Sequence, residues 1–225
     1  MSNLSISKAA IMQSAWRNFL KKGYYQAGIR EIAADAGVSL GLVNHYFKSK
    51  KNLAAHIVTF LWNEARDWGL QYVPQEDVVL LDAVVTRGMN RLMLSELLHD
   101  FYITSLQEDV FFDSLTAQTS RTLAPLHASG FRDVPDRDLI YLYTKILPYE
   151  TEKALILKKE KGMFQNIPYE DIPYYVCLEA LRRIVPPEEI RRADQQGREI
   201  VAAHFSELLN SPWEKDLAAF TEKLL

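Results

Sequence analysis

Cysteine is nearly missing from this sequence: Cys177 is the only one in 225 residues. A lone thiol closes no internal bridge and no C-x-x-C pair exists, so a disulfide scaffold and a cysteine-based zinc finger are excluded. With no basic neighbour to activate it, Cys177 is expected to be inert. Long apolar runs are also missing. Stretches such as Val78 to Leu81 stop after a few residues, far short of the ~20 that span a bilayer, and no membrane partner is expected. Catalytic signatures are scarce too: there is no G-x-S-x-G, P-loop, dinucleotide fingerprint or H-E-x-x-H. The five histidines, at 45, 56, 99, 127 and 204, lack ligand spacing. Ser5-Ile6-Ser7-Lys8 fits S-x-x-K, but the motifs that accompany it in enzymes are absent. No cofactor, metal or enzymatic activity is expected. The N-terminus lacks a basic start followed by an apolar run, so the expected location is the cytoplasm.

What remains is an ordinary globular composition, 48% hydrophobic and 24% charged, which argues against a disordered chain and for a packed core. The net charge of -3 conceals an asymmetry. Residues 1–55 hold eight basic side chains, Lys8, Arg17, Lys21, Lys22, Arg30, Lys48, Lys50 and Lys51, against Glu31 and Asp35. The head is therefore basic and the body acidic, an arrangement common in nucleic-acid binders and also compatible with a merely solvated basic surface.

Apolar spacing is helical almost throughout. Ile11, Ala15 and Phe19 recur at i, i+4 and i+8, and Gly23 follows as a stop. Arg30 to Ala36 forms a short segment ending at Gly37, and another runs from Ser39, a capping residue, to Phe47. Ser49 is placed to cap a long fourth helix that ends before Pro74. Further breaks fall at 130–135, at 166–173, at Pro186-Pro187 and at Ser211-Pro212, with Asp136 and Pro187 placed as helix starts and Ser211 to Glu214 as a capping box. With no alternating strand pattern and no repeat, the fold class is all-α, with nine or ten helices.

Ile29 to Phe47 reads as two short helices around a tight turn at Gly37, sharing Ile32, Ala33, Val38, Val43 and Phe47 as core. That is a helix-turn-helix, which leaves the outer face of its second helix for a DNA major groove. Leu42 is balanced between touching DNA and packing within the head.

The order Ile11-Met12, Ala15, Phe19-Leu20, Gly23-Tyr24, Ile32-Ala33, Ala36-Gly37-Val38-Ser39, Gly41, His45-Tyr46-Phe47, Lys48-Ser49-Lys50 and Leu53 resembles the DNA-binding domain of the tetracycline-repressor (TetR/AcrR) family. The likeness covers about 45 residues, a fifth of the chain. It implies an N-terminal three-helix DNA-binding domain at 1–53, joined through a fourth helix at about 50–73 to an effector-binding and dimerisation domain at 54–225. It further implies a homodimeric bacterial regulator, usually a repressor, that binds a palindromic operator and answers to a small-molecule effector. Control by a protein partner, or no ligand at all, stays open, as does an enzyme fused to a DNA-binding head.

Carried over by position, Arg30 falls where a base or backbone contact is usual, and Leu40, Gly41 and Asn44 on the base-facing side. Ser39, His45, Tyr46 and Lys50 fall at phosphate contacts. Lys48 and Lys51 add diffuse attraction, while His45 could equally serve the helix surface. Gly28 stands where threonine is frequent, which leaves that cap in question, and Asn44 where tyrosine is common; Asn can read adenine through two hydrogen bonds. For dimerisation the resemblance points to 174–210, with Tyr174, Leu178, Leu181, Val185, Ile190, Ala193, Gly197, Val201, His204 and Leu208; internal core is the alternative. Trp68, Tyr72, His99, Tyr102 and Tyr149 are candidate effector contacts, although a histidine such as His99 on an apolar face is more often structural.

Overall fold

The computed structural model describes residues 3–117, 138, 141–178, 181–182 and 185–209. Its helices are α1 (Asn3–Gln26), α2 (Ile29–Asp35), α3 (Leu40–Phe47), α4 (Lys50–Gly69), α5 (Val78–Met93), α6 (His99–Gln107), α7 (Val110–Ala117), α8 (Leu147–Lys159) and α9 (Pro187–Leu209). A π-helical turn, Leu142–Ile146, leads into α8, and a second, Tyr174–Leu178, follows the 3-10 turn Tyr169–Asp171. Among the described residues there is no strand, as an all-α fold requires. The breaks expected at 130–135 and Ser211-Pro212, and the start at Asp136, lie outside the described residues.

The chain divides into two compact units. The described part of the first comprises 3–61 and 93–114, so α6 and most of α7 join the N-terminal helices. Its core is the apolar stripe of α1: Ile11, Met12 and Ala15 are fully buried and Phe19 nearly so. Phe101 of α6 completes it, stacked 5.7 Å from Phe19 and edge-on to Trp16 at 5.9 Å. Aromatic pairs in these geometries add to the burial energy. Gly23 marks the end of regular α1 with φ of +78°, a conformation glycine adopts without a side-chain penalty. Ser49 caps α4 as expected, accepting the Asn52 N–H at 3.0 Å.

The described part of the second unit comprises 62–92, 115–117, 138, 141–178, 181–182 and 185–209. Here α5 contacts both α4 and α9 through small residues. A Cβ on Gly88 would lie 2.6 Å from the Trp68 ring, and one on Gly197 3.3 Å from the Ala83 methyl. Polar groups are paired along the same seam. The buried Arg87 guanidinium meets Asp194 and donates to the Glu170 carbonyl at 2.5 Å, and Arg198 holds Asp171 at 2.6 Å. Asp77 accepts the Leu80 N–H at 3.2 Å and the Arg192 guanidinium at 2.8 Å, which holds its carboxyl below the usual range.

Candidate nucleic-acid interface

The site is built around the turn between α2 and α3. Gly37 has φ of +67°, and its N–H reaches the Ala34 carbonyl at 3.1 Å while the Val38 N–H reaches Ala33 at 3.0 Å. Ser14 of α1 fixes α2 by donating to the Ile32 carbonyl at 2.9 Å in the core. Ser39 caps α3: its hydroxyl accepts the Leu42 N–H at 3.2 Å. At Gly28 the N-cap of α2 has no side-chain cap hydrogen bond, as its missing hydroxyl dictates.

Val43 and Phe47, both fully buried, anchor α3. Its opposite side is open: Gly41, Asn44 and His45 are exposed, as are Ser39 before the helix and Lys48 after it. Leu40, Leu42 and Tyr46 are half-buried, and the His45 and Tyr46 rings meet edge-on at 5.4 Å. Of the residues assigned to the base-facing side, Gly41 and Asn44 lie on the open surface of a helix held from behind, and Leu40 is half-buried.

Charge around the helix is arranged by internal pairing. Asp35 and Glu31, the two acids of the basic segment, pair with Arg17 at 2.9 Å and with Lys22. Arg30 and Lys48 are exposed and enter no ion pair among the described residues. Lys48 carries φ of +58° at the end of α3.

Lys50 departs from its expected role. Its ammonium donates to the Tyr24 carbonyl at 2.9 Å and the Tyr25 carbonyl at 3.3 Å, and lies 4.6 Å from the centre of the Tyr24 ring. Burial pushes its pKa down, with the Glu108 charge opposing the shift. Three partners within the chain occupy the group that the sequence assigned to phosphate.

Residues 11–57 match the family model for bacterial regulatory proteins of the tetR family. The N-terminal helices thus resemble that family. It is 35% identical over 57 residues to the HTH-type transcriptional regulator PksA of Bacillus subtilis (strain 168), a stretch covering 25% of this chain and only 28% of that protein. It is 24% identical over 139 residues to the HTH-type transcriptional regulator BetI of Escherichia coli O45:K1 (strain S88 / ExPEC), covering 58% of this chain and 71% of the relative. Among solved structures, a TetR-family transcriptional regulator from Mesorhizobium loti MAFF303099 is 18% identical with a TM-score of 0.42, covering 90% of this chain and 98% of that one. A gamma-butyrolactone receptor (ArpA-like protein) is 17% identical with a TM-score of 0.39, covering 90% of this chain and 100% of that one.

The other residues singled out in the sequence are placed differently. Leu178, Leu181, Val185, Ile190, Ala193, Gly197, Val201 and Leu208 are buried inside a single chain. Ala193 and Gly197 therefore permit close approach within the protomer, with Gly197 set against Ala83, and the internal-core alternative accounts for them. Tyr174 and His204 remain half-buried. The open side of α9 carries Gln195, Glu199, Ala202, Ser206 and Leu209.

The effector candidates fall in different units, with His99 and Tyr102 in the first and Trp68, Tyr72 and Tyr149 in the second. Tyr102 and Tyr149 are fully buried, and Tyr102 packs on Phe111 at 5.6 Å. Tyr72 stacks on His204 at 4.1 Å and donates to Glu207, which also takes His204 Nδ1 at 3.1 Å.

Sequence reasoning missed a polar ridge on α5. Asp82, Thr86 and Asn90 repeat at i, i+4 and i+8, while positions 81, 85 and 88 meet α4 and positions 83 and 87 meet α9. Asn90 is 6% exposed, and its side-chain amide makes no hydrogen bond among the described residues. Desolvation raises the Asp82 carboxyl to about 6, against the opposing pull of Lys145, yet its side chain keeps some accessible surface. The fourfold spacing was the available signal. Among the described residues, no group of three or more His, Cys, Asp or Glu is placed to hold a metal.

Proposed function

We propose that this protein is a homodimeric TetR-family transcriptional regulator that places α3 in the DNA major groove. The observation that carries the reading is the two-sided build of α3, with Val43 and Phe47 fully buried behind and Gly41, Asn44 and His45 exposed in front. Asn44 offers a paired donor and acceptor suited to adenine, and Gly41 lets the backbone come close to base edges. Ser39, His45, Tyr46, Arg30 and Lys48 contact phosphate or sugar, and Leu40 adds an apolar contact. Lys50 positions the end of α1 rather than neutralising a phosphate.

Repression is the proposed outcome, released by a small uncharged effector. The second unit supports that part of the reading through the α5 ridge. Asp82 (whose shift Lys145 opposes), Thr86 and Asn90 would fix a molecule carrying both a hydrogen-bond donor and an acceptor, the Asn90 side-chain amide making no hydrogen bond among the described residues. The dimer contact is assigned to the open side of α9 around Ala202 and Leu209. A two-fold dimer sets its recognition helices about 34 to 36 Å apart, or a multiple of that, and reads a palindrome.

Selection of operator sequences from a random duplex pool tests the reading. A recovered palindrome whose half-sites lose definition with Asn44→Ala is expected. A pool that stays random, or a protein that sediments as a monomer at micromolar concentration, would overturn it.

A further inference from the structure

The corner between α6 and α7 brings carboxylates to the edge of the DNA-binding helices, within the first compact unit. Asp113 of α7 pairs with the Lys51 ammonium at 2.9 Å. Glu108, in the turn before α7, accepts the Tyr25 hydroxyl at 2.6 Å. The corner is held in register by Thr59 and Ser114, whose hydroxyls meet at 2.9 Å, and by Phe101 stacked on Phe19.

Lys51 stands in the first turn of α4, four residues past Phe47 at the end of α3. That position puts its flexible ammonium near the groove-facing helix and beside a helix N-terminus, where an anion is favoured. Arg17 and Lys22 are paired to acids of α2, on the surface of the same three helices, and those pairs stay with the head in any arrangement. Lys51 is different, because its partner belongs to α7. The pair is exposed, 40% on Lys51 and 44% on Asp113, so it is of the weak kind that a competing anion can displace. An ammonium that holds a carboxylate cannot at the same time release a full counterion's worth of DNA charge.

We propose that Asp113 is an electrostatic brake on DNA binding: it competes with a backbone phosphate for Lys51, so that the position of the α6–α7 corner sets the affinity of the head without altering which bases α3 reads. The proposal rests on the DNA-binding reading above and adds its means of regulation. A shift of α7 away from α4 frees Lys51, and a shift toward it withdraws a phosphate contact.

The test uses the full chain and a random-sequence duplex of roughly 30 base pairs, with affinity read by fluorescence anisotropy from about 50 mM to about 200 mM salt, where the phosphate contribution dominates. Asp113→Asn should bind more tightly than the parent at low salt, with an advantage that shrinks about 3.5-fold across that range, as one added phosphate contact requires. Asp113→Ala should act in the same direction. Placing Asp113→Asn on a Lys51→Ala background should give no such gain over Lys51→Ala alone. Equal affinities for parent and both Asp113 variants would overturn the proposal, and so would an undiminished gain without Lys51, which would mean bulk charge. If the parent itself fails to bind the duplex at the lowest salt, the DNA-binding reading falls, a result distinct from either.

Discussion

The Lys50 ammonium donates to the Tyr24 carbonyl at 2.9 Å while lying 4.6 Å from the centre of that residue's ring. One side chain thereby ties the N-terminus of α4 to the end of α1. A charge-assisted hydrogen bond of this kind contributes about 1.5 to 3 kcal/mol. Lys50→Ala should lower the unfolding free energy by a similar amount, read by urea melting. Its effect on DNA separates the two roles: a positioning lysine leaves the salt dependence of binding unchanged, whereas loss of a phosphate contact lowers the slope by about 0.9. An unchanged slope is expected, and a reduced one would return Lys50 to the phosphate set.

Gly41 is exposed on α3, and a Cβ there would meet nothing closer than the Ser39 hydroxyl at 3.8 Å. The fold therefore tolerates alanine, and helix propensity favours it by about 1 kcal/mol. Gly41→Ala should raise thermal stability slightly and still weaken operator binding, because the new methyl stands between the helix backbone and the bases. Stability and affinity moving in opposite directions is the measurable signature. A variant that binds the selected operator as the parent does would show that this part of α3 does not approach DNA.

Gly88 faces the Trp68 ring, with only 2.6 Å available to a new Cβ. Overpacking at such a site costs about 1 to 3 kcal/mol. Gly88→Ala should lower the melting temperature while leaving the folded head intact, so DNA affinity measured well below the transition should change little. A variant as stable as the parent would mean that α4 and α5 can part without cost.

The α1 stripe, the caps at Ser39 and Ser49 and the turn at Gly37 were legible in the sequence because each depends on residues a few positions apart. The two-sided build of α3 was legible for the same reason: Val43 and Phe47 are buried and Asn44 is exposed, as helical spacing dictates. The anchoring of Lys50 was not legible because its partners, the carbonyls of Tyr24 and Tyr25, lie more than twenty positions away and carry no side-chain label. Ala193 and Gly197 show a related limit. Small residues signal a close crossing, but not whether the crossing element is Ala83 of the same chain or a helix of another. Asp113 is one acid among many in the sequence, and only the packing of α7 along α4 gives it Lys51 as a partner.

Asp82 supplies a prediction with a definite sign. Desolvation raises its carboxyl from the ordinary 3.8 to about 6 in the folded chain. Between those values the folded state holds more protons than the unfolded one, so stability falls as pH rises from about 4 through 6 and levels off above. A rise of that size corresponds to at most about 3 kcal/mol. Asp82→Asn removes the ionisation and should raise the melting temperature at pH 7.5 while changing it little at pH 4, where the parent is already protonated. An uncharged effector bound against Asp82 and Asn90 should deepen the desolvation and push the Asp82 titration, followed by carboxyl NMR, further upward. An Asp82 carboxyl that titrates near 4 with or without ligand would place it in open solvent and remove it from the body's proposed effector site.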